Sequence, residues 1–364
     1  PLDSSEPVCL DDLERKAKQT LSEDALKYYA GGADEEVTLR DNVDAFKRFR
    51  LRPRMLRGIS QVDLSTTVLG QTVSMPICVA PTGFHRLAHP DGELATARAC
   101  DKSGTLMVLS IFSTTPIADI VNATPTALHW QQLYILKDKE NVKTVIRQAE
   151  QSRFKALVIT VDAPVMGNRR AISKPGFFQS LGLSPPLIRE ISHKMNLKPE
   201  QLFIKHINWD SISWIKSLTK LPVIVKGIMT AEDARLAVQH GVDAIIVSNH
   251  GGRQLDGVLA AIDALPEVIS AVNGQIEVYM DGGVRLGTDV LKALALGARA
   301  VFIGRPVLWG LAYQVTYRTG DQGVHKVLEL LRRELTTAMI LSGCSSVADI
   351  PASLVTRRQC QCHF

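Results

Sequence analysis

Aromatic residues are scarce in this chain: 5% of 364 positions, against 45% hydrophobic residues in all. A core with so few large flat side chains is built from Val, Ile, Leu and Ala, as sheets buried on both faces are. No apolar run reaches the ~18 residues that a membrane helix needs, so no membrane role is expected. Lys and Arg form no block, and the net charge of +5 is spread along the chain. Nucleic-acid and membrane-surface binding are therefore not expected, and a site for small anions accounts for the excess. The six cysteines make no even framework, which argues against a disulfide scaffold and for a reducing compartment. Cys78 and Cys100 lie in apolar stretches and read as small buried residues. Cys360-Gln-Cys-His363 offers three ligands on a terminus, short of a full oriented shell, so no metal site is expected. The opening Pro-Leu-Asp-Ser-Ser-Glu does not read as a signal peptide. No Gly-x-Gly-x-x-Gly follows the first apolar run, which disfavours a Rossmann nicotinamide domain.

What is present is alternation. Eight short apolar runs read as strands: Pro76–Ala80, Leu106–Leu109, Leu128–Leu133, Ala156–Val161, Pro222–Val225, Ala244–Val247, Ile276–Met280 and Ala300–Ile303. Helix-period stretches separate most of them, such as Asp91–Ser103, Asn141–Ser152, Ala231–His240 and Thr288–Leu296, and several end at Gly104, Gly241 or Gly297. Strand–helix alternation repeated eight times predicts a (β/α)8 TIM barrel within one domain, residues 1–364; an open doubly wound sheet is the alternative. Residues 1–50 predict two helices, Leu10 to Tyr29 and Glu35 to Phe49, capping one end of the barrel. Residues 170–208 read as an inserted, mobile loop after strand four, on the active-site face, or as a disordered spacer. Gly323 to Leu341 predicts a closing helix.

The residues following the eight runs carry the chemistry: Ala80-Pro81-Thr82, Ser110, Gln132-Leu-Tyr134, Thr160-Val-Asp162, Lys226, Ser248-Asn-His250, Asp281-Gly282-Gly283 and Gly304-Arg305. In a barrel these positions share one mouth. Arg253 offers a bidentate grip for a carboxylate, and His250, three positions away, is a base for the same small molecule. Asp281-Gly-Gly-Val-Arg285 and Gly304-Arg305 place glycine N–H groups and two arginines after strands seven and eight, the common phosphate site of such barrels. Ser110, Gln132 and Thr160 suit the edge of a heteroaromatic ring, and Lys226 a place where negative charge develops. Flavin mononucleotide (FMN) fits these features.

Ser248-Asn-His-Gly-Gly-Arg-Gln-Leu-Asp256 closely resembles the signature of the FMN-dependent 2-hydroxy-acid oxidases, which include glycolate oxidase and the animal long-chain hydroxy-acid oxidases. The resemblance covers nearly the whole chain, including Tyr28-Tyr-Ala-Gly-Gly, Phe49-Arg-Leu-Arg-Pro-Arg-Met-Leu56, Met75-Pro-Ile-Cys-Val-Ala-Pro-Thr82, Ala88-His-Pro-Asp-Gly-Glu93 and Leu294 through Pro306. It implies oxidation of (S)-2-hydroxy acids to 2-oxo acids, with oxygen reduced to hydrogen peroxide. It implies His250 as base, steadied by Asp162; Arg253, Tyr28 and Arg169 on the carboxylate; and Tyr134 on the substrate hydroxyl. Lys226 would stabilise reduced flavin. Ala80, Pro81, Thr82, Ser110, Gln132, Thr160 and Ser248 would bind flavin, Asp281 its ribityl chain, and Gly282, Gly283, Arg285, Gly304 and Arg305 its phosphate. A homotetramer, a peroxisomal setting and fatty-acid metabolism follow from the resemblance alone, although Gln-Cys-His-Phe364 is no Ser-Lys-Leu-like address.

Two departures bear on the substrate. Ile111-Phe112 stands where glycolate oxidase has tryptophan at the second position, and Pro164-Val-Met-Gly-Asn168 replaces the usual Pro-Arg-Leu-Gly-Arg. Both predict longer-chain or aromatic acids in preference to glycolate. A dehydrogenase with another electron acceptor is the near alternative; a flavin-dependent isomerase and a non-catalytic flavin protein fit the His, Arg, Lys and Tyr set less well.

Overall fold

The computed structural model describes residues 6–174, 176–196, 202, 206–313 and 320–358. Each of the eight apolar runs is a strand: β1 (Ile77–Val79), β2 (Met107–Leu109), β3 (His129–Leu133), β4 (Leu157–Thr160), β5 (Val223–Ile228), β6 (Ala244–Val247), β7 (Glu277–Asp281) and β8 (Val301–Ile303). They pair in parallel in chain order and close into a barrel. The open-sheet alternative is excluded, because β8 registers on β1 through Val301–Ile77, Phe302–Cys78 and Ile303–Val79.

Side chains alternate between the two faces of a strand, and this period builds the site. Cys78, Val108, Trp130, Val158, Ile224, Ile246, Tyr279 and Phe302 form one apolar cluster inside the barrel. Except at Trp130, which is flanked by the buried polar residues His129 and Gln131, their neighbours in sequence join the second cluster, shared with the surrounding helices. Two residues beyond each inward side chain stand Ala80, Ser110, Gln132, Thr160, Lys226, Ser248, Asp281 and Gly304. A polar inner layer at the C-terminal mouth therefore sits directly above an apolar one.

The opposite end is closed by a feature the sequence reading missed. Thr66–Val68 and Gln71–Val73 pair as an antiparallel hairpin, and Val68 and Val73 join the interior cluster. Its turn residues, Leu69 and Gly70, have φ of +47° and +74°, the left-handed pair that a tight hairpin requires.

The N-terminal segment departs from expectation by one break. Leu10 to Tyr29 is two helices, α1 (Leu10–Thr20) and α2 (Glu23–Ala30), because Ser22 Oγ accepts the Ala25 N–H at 3.3 Å and starts a new helix. The next segment forms α3 (Val37–Asp44) and a 3-10 turn, Ala45–Arg48. These elements cap the mouth: the Asn42 and Asn249 side-chain amides exchange two 2.8 Å hydrogen bonds. The segment expected as a loop or spacer contains a 3-10 turn, Arg170–Ile172, and helices Phe177–Ser180 and Pro186–Met195. The closing helix runs Asp321–Ser342. The Cys360-Gln-Cys-His363 tail lies outside the described residues.

Candidate active site

A cavity of about 780 Å³ opens at the C-terminal mouth, within the ~300–1,000 Å³ range of cofactor and substrate sites. Tyr28, Ala80, Pro81, Thr82, Ser110, Gln132, Tyr134, Thr160, Arg169, Lys226, His250, Arg253, Asp281, Gly282, Gly283, Arg285, Gly304 and Arg305 all line it. Of the residues expected here, only Asp162 and Ser248 stand outside the lining, and each binds a residue that belongs to it.

The His250–Asp162 pair is built by two loops. His250 Nδ1 lies 2.8 Å from Asp162 Oδ1, and the His250 N–H donates to Ser248 Oγ at 3.0 Å. Burial lowers the His250 pKa, more than the Asp162 carboxylate raises it, and the Lys226 and Arg169 charges act in the same direction as burial. A neutral imidazole whose Nδ1–H donates to a carboxylate has Nε2 available as a base. Burial alone would raise the Asp162 pKa, but His250, Lys226 and Arg169 hold it below the usual aspartate value. Its second oxygen, Oδ2, is buried with no hydrogen-bond partner among the described residues. Asp162 finds room because β5 bulges after Lys226. Gly227, with φ +115°, replaces a Cβ that would lie 2.7 Å from that of Asp162.

Lys226 is buried inside the polar layer. Its ammonium lies 2.9 Å from Asp281 Oδ2 and donates to Ser248 Oγ at 2.8 Å, while Ser248 donates to Asp281 Oδ1 at 2.5 Å. Burial works to lower the Lys226 pKa, yet Asp281 and Asp162 together raise it, so the cation persists. Beside it, Gln132 Nε2 donates to Thr160 Oγ1 at 3.1 Å, and Gln132 Oε1 accepts from the Ile111 N–H and from Ser110. Burial also raises the Tyr134 pKa, keeping a phenol rather than a phenolate in the cavity.

Four arginines face this cavity without an ion-pair partner among the described residues. Arg305 gives Nε, Nη1 and Nη2 hydrogen bonds to the Tyr29, Gly251 and Gly31 carbonyls at 2.9, 2.9 and 3.1 Å. Burial, then repulsion from Arg253, Arg285 and Arg169, drives its pKa well below the usual value. Burial lowers that of Arg285 as well, and burial with Arg253 repulsion takes Arg169 to about 10. Arg253 Nη1 donates to the Tyr28 carbonyl at 2.6 Å, with its guanidinium 5.0 Å from the Tyr28 ring centroid. Arg305 also opens a helix, Arg305–Tyr313, and a helix N-terminus favours an anion. Buried positive charge of this density calls for anions that the chain does not itself supply.

One glycine carries a packing requirement besides the phosphate contact expected of it. A Cβ on Gly283, at φ +82°, would lie 1.8 Å from the Asn42 carbonyl oxygen. Close packing of the cap, independent of any phosphate contact, already requires glycine there. Of the aromatic wall, sequence reasoning reached Phe112 but missed Phe84 and Phe178. Phe84 stacks on Phe112 at 6.0 Å, and Phe178 packs edge-on against Tyr28 at 6.2 Å. Phe178 belongs to the insertion, whose register on the mouth no local pattern encodes; Gln254, missed too, lies inside the motif that carried His250.

Fold and mouth together define an α/β barrel whose C-terminal cavity is lined by four arginines with no ion-pair partner among the described residues. The FMN-dependent dehydrogenase family model matches residues 17–357, and the chain belongs to that family. FMN is accordingly its cofactor, and the protein is an oxidoreductase. The chain is 49% identical to human 2-hydroxyacid oxidase 1 over 96% of both chains. It is 50% identical to human 2-hydroxyacid oxidase 2 over 96% of this chain and 98% of the relative. An L-lactate oxidase of Nostoc sp. is 46% identical over 96% and 98%. Among solved structures, a lactate oxidase of Pediococcus acidilactici superposes with a TM-score of 0.90 at 36% identity, covering 97% of this chain and 96% of that one. A mandelate oxidase structure with (S)-mandelic acid gives 0.84 at 38% identity, covering 96% and 98%.

The residues present fit FMN. Arg285 and Arg305 would hold its phosphate, and Ser110, Gln132, Thr160 and Lys226 the polar edge of its ring.

Proposed function

We propose that this enzyme oxidises (S)-2-hydroxy acids to 2-oxo acids with oxygen as acceptor and hydrogen peroxide as product. In this reading, acids with long aliphatic or aromatic side chains are preferred to glycolate. The observation that carries it is the convergence of the Asp162–His250 pair, the Arg253 and Arg169 guanidinium groups and the Lys226 ammonium on one cavity.

FMN, when bound, supplies the two-electron acceptor and the route to oxygen. The chain supplies the rest. Arg253 and Arg169 bind the substrate carboxylate, with the Tyr28 side chain beside them. The Tyr134 phenol donates to the substrate hydroxyl, which becomes the keto oxygen. As the C–H and O–H bonds give way to C=O, His250 Nε2 takes one hydrogen as a proton, while the other hydrogen and the electron pair would go to the two-electron acceptor. Asp162 fixes the tautomer and stabilises the resulting imidazolium. Lys226 places positive charge where the site must accept negative charge.

The preference for larger acids is supported by Phe84, Phe112, Phe178, Met166 and Leu183, which line the same cavity. Hydrocarbon buried against such a wall gains ~0.8 kcal/mol per methylene, so kcat/KM should rise about fourfold per added carbon until the wall is filled. Steady-state rates on glycolate, 2-hydroxybutanoate, 2-hydroxyoctanoate and mandelate test this, and a glycolate preference refutes it. Peroxide formed one-for-one with 2-oxo acid supports the oxidase reading. Turnover only with an added artificial acceptor would replace it with a dehydrogenase. Homotetrameric assembly and a peroxisomal setting rest on the family alone, with light scattering and cell fractionation as their tests.

A further inference from the structure

We propose that Gln254 is a positioning residue: its side-chain amide latches the Arg169 arm of the site to the loop that carries His250 and Arg253. The inference rests on the substrate-carboxylate reading of Arg169 given above, but the latch itself is a matter of geometry.

A glutamine amide has two N–H donors and an oxygen with two lone pairs. Gln254 uses all four. Nε2 donates to the Asp162 carbonyl at 3.0 Å and to the Val165 carbonyl at 2.8 Å. Oε1 accepts the Gly167 N–H at 3.1 Å and Arg169 Nη2 at 3.0 Å. All four partners belong to the loop after β4, between the residue that steadies the base and the arginine facing the substrate. A second bond, Arg169 Nε to the Arg253 carbonyl at 3.0 Å, fixes the plane of that guanidinium.

The two loops touch closely enough to make the latch specific. A Cβ on Gly167 would lie 2.3 Å from the Arg253 carbonyl oxygen and 2.6 Å from the Gln254 Cα, so only glycine allows this approach. Gln254 lines the cavity, yet every polar atom of its side chain is turned to the neighbouring loop. It touches neither proposed reacting group and acts through Arg169 and the Asp162 backbone. The insertion Arg170–Asn208 begins at the next residue, so the same amide anchors the stem of that insertion.

The test uses the FMN-loaded, full-length protein with Gln254→Leu and Gln254→Glu. Leucine removes all four bonds. Glutamate keeps both acceptor contacts, sets a carboxylate oxygen against two carbonyls and neutralises Arg169. In both variants we expect KM for 2-hydroxyoctanoate to rise roughly tenfold or more, the scale of a lost hydrogen bond to a charged group, with kcat falling less. Limited proteolysis within residues 170–196 should accelerate in Gln254→Leu. That readout needs no substrate, and so separates failure of the latch from failure of the functional reading. A parent enzyme inert towards every 2-hydroxy acid would sink the functional reading while leaving proteolysis to decide the latch. KM within about twofold of the parent in the variant that folds and holds FMN, or unchanged proteolysis, overturns the proposal.

Discussion

His250 has φ +59°, an uncommon conformation for a residue with a Cβ. The Ser248 hydroxyl, the flanking Gly251 and the Asp162 carboxylate hold it there. Replacing it with glutamine should leave a yellow, FMN-loaded protein whose kcat falls ~10²–10⁴-fold, the share that a positioned base contributes; parental turnover would remove His250 from that role. The pH dependence follows from the direction of its shift. In the proposed role His250 acts as the neutral imidazole, and burial lowers its pKa from the ordinary 6.5. The acid limb of kcat/KM should therefore fall below that value: activity is full above it and lost as pH drops through the lowered pKa. A limb above 6.5 would contradict burial as the dominant influence. At this scale the sequence was legible wherever a residue followed an apolar run, since the two-residue period fixes which side chains enter the mouth. Gln254 was not, because a glutamine's four contacts lie on another loop and leave no local pattern.

Among the elements, the eight strands were readable because β-branched runs between glycine-stopped helices have few other solutions. The break at Leu21 was hidden by continuous amphipathic spacing across it, and only the Ser22 cap reveals it. The hairpin plugging the barrel floor was hidden by its size, since Thr66–Val68 and Gln71–Val73 are three residues each. The junction of α3 with the loop after β7 leaves no room for a Cβ at Gly283. Gly283→Ala would force a methyl group into the Asn42 carbonyl and strain a left-handed backbone. A stability loss of roughly 3 kcal/mol or more is expected, read as a lower melting temperature, together with weaker FMN retention. Unchanged melting would show that the cap is free to move away from the mouth.

For the whole molecule, the main imbalance is electrostatic: four cavity-facing arginines without carboxylate partners among the described residues. An anion that binds the folded state alone stabilises it by mass action, ~2.7 kcal/mol at a hundredfold excess over Kd. FMN should raise the melting temperature of the apoprotein more than riboflavin, which lacks the phosphate. Arg305→Met should abolish most of that difference; an equal response to both ligands would place the phosphate elsewhere. That the site is anionic in its appetite was legible from the arginines after strands seven and eight. That Arg305 is held by the Tyr29, Gly31 and Gly251 carbonyls was not, because these come from chain segments far apart in sequence.

The convergence of base, carboxylate grip and cofactor on one mouth is tested most directly by an absorption spectrum. FMN-loaded protein is mixed with 2-hydroxyoctanoate in the absence of oxygen. The expected result is loss of the yellow flavin band with one 2-oxo acid formed per flavin, and no such loss on the same timescale in His250→Gln. A spectrum unmoved by 2-hydroxyoctanoate, mandelate, lactate and glycolate alike would contradict it.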